Sequence, residues 1–427
     1  MSDDKLLNIV FSELQIWENA IMDGKEKKIK QKILEKASDP NERDELKNKI
    51  ANHGYHIKPP HEAQIPKDDG TMRTVYANEA EDRILLTVIN NVFFKYFSDM
   101  IHPTCKSYQI GIGCGKIVKQ ITKTIENQSM QSEYIGYKID LSKYFDSVPI
   151  QYIDGIFDEV ETKIGPSSIL DLLREYYHSD VLLDMQKKEI HKYTSLRQGC
   201  AVAAFLADAV LYDIDAEMQN YNITYCRYSD DILILGENAD EAYRKISKML
   251  NEKSLTLNPK KVEHLTRNTW FTFLGFSIRN ISISLSKKRI KNLQKVIESK
   301  TIRCKACDSS TKAKHKIYQY LYDTSLTPYS YAEGILPVIN NTHDINILDT
   351  FIADCCRACD TKKTKIGGIG YNKSGKEGVL TRGTGRHVSK NREKHADIDY
   401  QTISFMQTLF NSNKDVYAAY VTNIVSS

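Results

Sequence analysis

Between residues 4 and 53 apolar side chains recur at intervals of three and four. LLNIVFSELQIWENAI carries them along one stripe, and KEKKIKQKILEKA extends the pattern with a charged outer face, as amphipathic helices do. Asp39-Pro40 punctuates the run, and NERDELKNKIANHG predicts a further helix ending at Gly54. Lys58-Pro59-Pro60 breaks the helical period. HEAQIPKDDGTMRTVYA then reads as a hairpin turning at Asp69-Gly70. EAEDRILLTVINNVFFKYFSDMI is apolar enough for a core helix.

At Tyr134 the period changes to two. In YIGYKID, Ile135, Tyr137 and Ile139 point one way and Gly136, Lys138 and Asp140 the other. NITYCRYSDDILIL predicts two apolar strands joined by a tight turn near Ser229-Asp230. Residues 238–254 predict a helix, TWFTFLGFSI a strand, and 286–360 mostly helix. Gly and Lys dominate 361–395, read as a loop, before a last helix or two from about Asp397 to Val425. Strands and helices mixed in this order predict an α+β fold, an antiparallel sheet with helices on one face.

A chain of 427 residues, 41% apolar and 27% charged, has the size and composition of a globular protein of several subdomains. No apolar run approaches the roughly 20 residues that cross a bilayer. The opening MSDDKLLNIVF lacks the basic-then-apolar pattern of an export signal, so no membrane association and a cytoplasmic location are expected. Net charge is only +4, yet residues 361–395 hold seven Lys and three Arg against two Glu. Phosphate is the usual partner of such a concentration, a solvated basic loop the alternative. Nine scattered cysteines fit reduced thiols. Cys304/Cys307 and Cys356/Cys359 have the ligand count of a zinc site, but FIADCCRACDTKK reads as an amphipathic helix with ordinary buried thiols inside.

The chemistry centres on three carboxylates. Asp140 ends a strand, and Asp230 and Asp231 sit at a hairpin turn. If those elements are sheet neighbours, three negative charges converge on one edge, a cost that a cation removes. Nucleotidyl transfer needs such a place, with two Mg²⁺ ions about 3.5–4 Å apart on hard carboxylate oxygens. Taken singly, a strand-end cap and ordinary turn residues account for the same aspartates.

Their setting resembles the reverse transcriptase family. YIGYKIDLSKYFDSV resembles its motif A, SLRQGCAVAAFLADAVLYDID its motif B, YCRYSDDILIL its YxDD motif C, LTLNPKKVEHL its motif D and FTFLGFSI its motif E. IPKDDGTMRTVYANEAEDRILLTVINNVF resembles the basic fingers hairpin and following helix of bacterial and group II intron enzymes. The likeness covers about residues 60–300, in the family's order. It implies a right-hand polymerase, α+β in class. The division is a helical extension at 1–58, fingers at 59–133, a palm with a helical insert at 134–284 and a helical thumb at 285–360. Residues 361–427 would be a basic Gly/Lys-rich loop and C-terminal helices.

Carried over residue by residue, the resemblance implies two Mg²⁺ ions, with Mn²⁺ as a substitute, on Asp140 and Asp230, with Asp231 beside them and the Leu141 backbone touching a metal. Lys67 and Arg73 would grip the incoming triphosphate, and Gln198 and Gly199 would lie under the nucleotide. Phe145 matches the steric gate that rejects a ribose 2′-hydroxyl, implying dNTP substrates and a DNA product. Lys261 would protonate pyrophosphate, although Lys260 stands beside it. YSDD replaces the common YADD, and SYQIGIGCGK stands where group II enzymes carry Tyr-Gly-Phe-Arg.

Retron signatures (an NAxxH box, a VTG tripeptide) are absent, as are recognisable endonuclease, RNase H and integrase regions. The chain therefore resembles most the stand-alone, defence-associated reverse transcriptases of bacteria. An RNA template, specifically a structured non-coding RNA, is expected, gripped by Lys362, Lys363, Lys365, Tyr371, Arg382 and Arg386. A retron- or group II intron-derived enzyme serving mobility, and a non-catalytic RNA-binding scaffold, are the alternatives.

Overall fold

The structure, a computed structural model, describes residues 4–26, 28–66, 72–108, 113–128, 132–193, 195–322, 331–341 and 343–361. The chain divides into two compact units, residues 1–110 with 135–264 and residues 111–134 with 265–427.

In the first unit the helical period of the N-terminus becomes four helices, Lys5–Ser12, Leu14–Glu26, Gln31–Ser38 and Pro40–Ala51. Asp4 caps the first, its carboxylate accepting from Leu7 N–H at 3.0 Å and from Ser168 N–H at 2.8 Å. The fourth starts with Pro40 in its first turn and Asp39 accepting from Asn41 N–H at 2.8 Å. It closes at Ala51 rather than Gly54, because His53 takes the left-handed conformation (φ 51°) and Gly54 N–H returns to the Lys49 carbonyl.

Strands β1 (His61–Pro66) and β2 (Met72–Ala77) form the antiparallel hairpin, whose connecting residues, the Asp69-Gly70 turn included, lie outside the described residues. Strand β3 (Tyr134–Asp140) follows the change to period two. β4 (Val181–Leu183) and β5 (Glu189–His191) extend the first hairpin into a sheet of order β2-β1-β4-β5.

Strands β6 (Thr224–Tyr228), β7 (Asp231–Leu235) and β8 (Glu263–Thr266) complete a second sheet, order β6-β7-β3-β8. Buried side chains from Ile135, Ile139, Ile232, Leu233 and Ile234 belong to its core. Gly136 is required in β3: at φ 145°, an added Cβ would meet the Ile234 carbonyl oxygen at 1.9 Å.

In the second unit TWFTFLGFSI is not one strand. It folds into β9 (Phe271–Phe273) and β10 (Phe276–Arg279), antiparallel, with Leu274 and Gly275 both at positive φ between them. Each side of the turn alternates, but the phase slips by one across it, from Phe271 and Phe273 to Phe276 and Ile278, and that slip marks the turn. β11 (Ser282–Leu285) completes this sheet.

Around it stand the helices Cys114–Asn127, Lys287–Lys300, Ser310–Tyr322 and His343–Thr361. Arg267 closes the first of these through the Ile125 and Gln128 carbonyls, at 2.6 and 3.1 Å. Cys355, Cys356 and Cys359 lie buried along the last helix, with Cys359 Sγ 3.9 Å from Cys307 Sγ. Among the described residues no helix is long and apolar enough to cross a membrane.

Candidate active site

Strand register brings the carboxylates together. β3 and β7 run antiparallel with Asp140 opposite Asp231, and β6 pairs with β7 so that Tyr228 lies opposite Asp231. A turn of two residues, Ser229 and Asp230, is all that remains between the strands. Ser229 takes φ 57°, a region that a non-glycine residue enters at a cost of about 1–3 kcal/mol. Beyond Asp140, Leu141 N–H donates to the Asp230 carbonyl at 3.2 Å. Three acidic side chains from positions 140, 230 and 231 thus occupy one sheet edge.

Their charges are felt mutually. Burial, then the neighbouring Asp140 carboxylate, raises the Asp230 pKa, against which Lys261 and Arg73 act. Burial and the Asp230 charge push Asp231 up to about 6, with Lys138 opposing. Arg73, on the β2 strand, is the last of the influences on Asp230.

Lys261 is placed by the stretch that follows the helix Ala239–Glu252. Ser142 N–H donates to the Thr256 carbonyl, and Asn258 N–H donates to the Asp140 carbonyl, both at 2.8 Å. The Asn258 side chain caps the single turn Pro259–Lys261 by accepting from Lys260 N–H. Lys261 Nζ thereby returns to Asp140 Oδ2 at 2.7 Å, and although both lysines are exposed it is Lys261 that makes this contact. The two adjacent lysines, indistinguishable in sequence, separate here. Burial works against the Lys261 ammonium, but its hydrogen bond to Asp140 together with the charges of Asp140, Asp230 and Asp231 outweighs this and the pKa is raised.

Phe145 sits half-buried on the short helix Tyr144–Ser147, five residues past Asp140. The helix is held by Tyr144, whose hydroxyl donates to the Ala207 carbonyl at 2.6 Å, and by Leu196 N–H donating to the Phe145 carbonyl at 3.0 Å. Gln198 accepts from Tyr76 N–H through its carbonyl at 2.7 Å. Gly199, at φ 109°, lies close against β2: an added Cβ would be 3.0 Å from the Tyr76 carbonyl oxygen. Lys67 lies outside the described residues, as do Lys362, Lys363, Lys365, Tyr371, Arg382 and Arg386.

Two buried arginines went unread in the sequence. Arg197, directly before Gln198, has φ 57° and lies 4.3 Å over the Tyr176 ring. Arg227, two residues before the turn, pairs with Asp215 and Asp208, and none of the three has exposed surface. Burial pushes the Asp208 carboxyl up to about 6 although Arg227 opposes this. The available signal was a charge inside an apolar strand, YCRY, and three acids inside the apolar stretch FLADAVLYDID, Asp208 and Asp215 among them, since buried charges require partners.

Among the described residues no three His, Cys, Asp or Glu side chains stand ready to enclose an ion unaided. Magnesium does not ask for that: it is commonly held by one or two carboxylates, with waters and substrate phosphates completing its shell. Two carboxyls whose pKa values are raised by burial and then by a neighbouring carboxylate, and a third paired with a lysine, fit that donor chemistry.

Residues 65–278, half of the chain, match the family model described as reverse transcriptase (RNA-dependent DNA polymerase). The chain belongs to this family, and the α+β fold and five ordered motifs accord with it. It is 23% identical over 219 residues to the retron Ec48 reverse transcriptase of Escherichia coli, covering 47% of each protein. The chain thus matches about half the length of that curated relative. Among solved structures, telomerase from Candida albicans, in complex with a fragment of telomeric RNA, aligns over 64% of this chain and 53% of its own. The TM-score is 0.38 at 10% identity.

Proposed function

We infer that the protein is an RNA-directed DNA polymerase that extends a primer 3′-hydroxyl with deoxynucleotides. The observation that carries this reading is the register of Asp140 against Asp231, with Asp230 at the adjoining turn and Lys261 on Asp140. Asp140 and Asp230, with Asp231 beside them, would hold two divalent cations, taken to be Mg²⁺, together with the Leu141 backbone. Bound there, the ions would lower the 3′-hydroxyl pKa and neutralise charge developing on the phosphate. The primer oxygen forms its bond to the α-phosphorus as the bond to pyrophosphate breaks. Lys261, with its raised pKa, keeps a proton available for the departing pyrophosphate. Arg73, with Lys67, offers the triphosphate positive charge, and Phe145 fills the space a 2′-hydroxyl would need.

The template on this reading is a structured non-coding RNA, gripped by the basic stretch 361–395, and the biological role is defence against phage. Likeness to the stand-alone bacterial enzymes supports the role, and the eight-charge excess supports the grip. Similarity to a retron enzyme favours a second reading, a retron-derived reverse transcriptase.

Primer extension on an RNA template tests the activity. Wild-type chain should incorporate dNTPs with Mg²⁺, and Asp230→Asn should retain less than about a tenth of the rate while staying folded. Incorporation by Asp230→Asn at the wild-type rate would remove Asp230 from the chemistry.

A further inference from the structure

Ser229 is held at both ends of its backbone by two residues, Ser107 and Arg227, to which the family resemblance gave no role. Its N–H donates to Ser107 Oγ at 2.9 Å, and its carbonyl accepts from Arg227 Nη1 at 3.3 Å. Ser107 Oγ donates in turn to Asp208 Oδ1 at 2.6 Å. Arg227 directs its remaining donors to the Asp215 carboxylate, at 2.6 to 3.0 Å, and to the Asp208 carbonyl at 2.7 Å. Tyr225 also donates to Asp215, at 2.8 Å. Ser107 reaches the turn because its segment lies along β6: Arg227 N–H donates to the Thr104 carbonyl at 3.1 Å, and Lys106 N–H to the Arg227 carbonyl at 2.8 Å.

Stability alone is a weak reason for such a cluster. Burying an arginine with two aspartates incurs a desolvation cost that apolar side chains of similar volume avoid. What the cluster supplies is direction. Ser229 occupies a left-handed conformation, which persists where the surroundings over-determine it. Its next residue is Asp230, and a carboxylate on a two-residue turn goes where the turn's backbone goes.

We propose that Ser107 and Arg227 are positioning residues for nucleotidyl transfer: by gripping the N–H and carbonyl of Ser229 they fix the place of the Asp230 carboxylate. The proposal rests on the polymerase reading of Asp230. Neither residue touches substrate on this account, so each acts through the turn.

Ser107→Ala, made in the full chain, removes a single oxygen, and Ser107→Thr retains it. The test measures single-nucleotide incorporation, the KM for dNTP, thermal melting, and Mn²⁺ binding followed by the paramagnetic resonance of the free ion without turnover. Ser107→Ala should lower kcat about tenfold to a hundredfold with KM changed no more than about twofold, as a displaced catalytic group does. It should also weaken Mn²⁺ binding several-fold while remaining folded at the assay temperature, and Ser107→Thr should recover both. Arg227→Lys retains the buried positive charge without the planar fork and repeats the test if Ser107→Ala does not fold. Unchanged kcat and Mn²⁺ affinity in a folded variant overturn the proposal, as does a loss that tracks only the fraction of chain unfolded. A wild-type chain that incorporates no nucleotide refutes the polymerase reading instead, and the Mn²⁺ comparison then decides whether the turn is positioned.

Discussion

Lys261 Nζ lies 2.7 Å from Asp140 Oδ2, across 121 residues of sequence, and although both lysines are exposed it is Lys261, not its neighbour Lys260, that makes this contact. The pairing follows from the backbone: Asn258 N–H bonds the Asp140 carbonyl, so the next turn delivers the third residue onward to the carboxylate.

Lys261→Ala should therefore reduce the rate of nucleotide incorporation about a hundredfold, in the range of general acid contributions. Lys260→Ala should stay near wild type. Single-turnover measurements across pH check both, and the limb of the profile at high pH should vanish only in Lys261→Ala. Equal losses in the two variants would show that general positive charge, not the Asp140 contact, matters.

Asp231→Asn should stabilise the metal-free protein near neutral pH. The folded chain raises the Asp231 pKa from 3.8 to about 6. Between those values the folded state keeps a proton that the unfolded state has lost, so stability falls as pH rises through the window and levels off above it. Removing the charge recovers at most about 3 kcal/mol at pH 7, less what solvent screening takes. Thermal melts in chelator should show a gain at pH 7 that disappears near pH 4. Millimolar Mg²⁺ should raise the wild-type melting temperature and narrow the gap, because a cation relieves the same repulsion.

Phe145→Val should admit ribonucleotides. With the helix Tyr144–Ser147 anchored through Tyr144 and the Phe145 carbonyl, the exchange deletes ring volume while the backbone keeps its supports. The ratio of kcat/KM for a dNTP to that for its rNTP should fall by at least about tenfold, a difference of about 1.4 kcal/mol. A wild-type chain that already uses both sugars equally would disprove the gate.

Neutralising Lys362, Lys363, Lys365, Arg382 and Arg386 together should weaken binding of a structured RNA and flatten its salt dependence. Each phosphate deprived of its protein cation should take about 0.7–0.9 off the slope of log K against log salt. Extension of a short generic primer–template should survive. Loss of both functions would place the stretch at the general nucleic-acid cleft.

The positions of the three aspartates were legible in the chain. Alternation in YIGYKID and the apolar flanks of YSDD mark a strand end and a turn, because the direction of a side chain within one element is a local property. The same locality explains what misled. FTFLGFSI alternates on both sides of Leu274-Gly275, so two strands read as one where the one-residue slip in phase between them is passed over.

Neighbourhood between distant elements is not written in any period. That Asp140 faces Asp231, that Lys261 and not Lys260 meets Asp140, and that Ser107 holds Ser229 all follow from which strands pair and in what register. Arg227 shows the division in a single residue. Its charge inside an apolar strand required partners, yet Asp208 and Asp215, on the helices Ala203–Ala209 and Tyr212–Glu217, became those partners only through tertiary packing. Local sequence sets what each element must bury or satisfy. The tertiary structure decides with what, because burial makes distant groups neighbours and removes the water that would otherwise serve them.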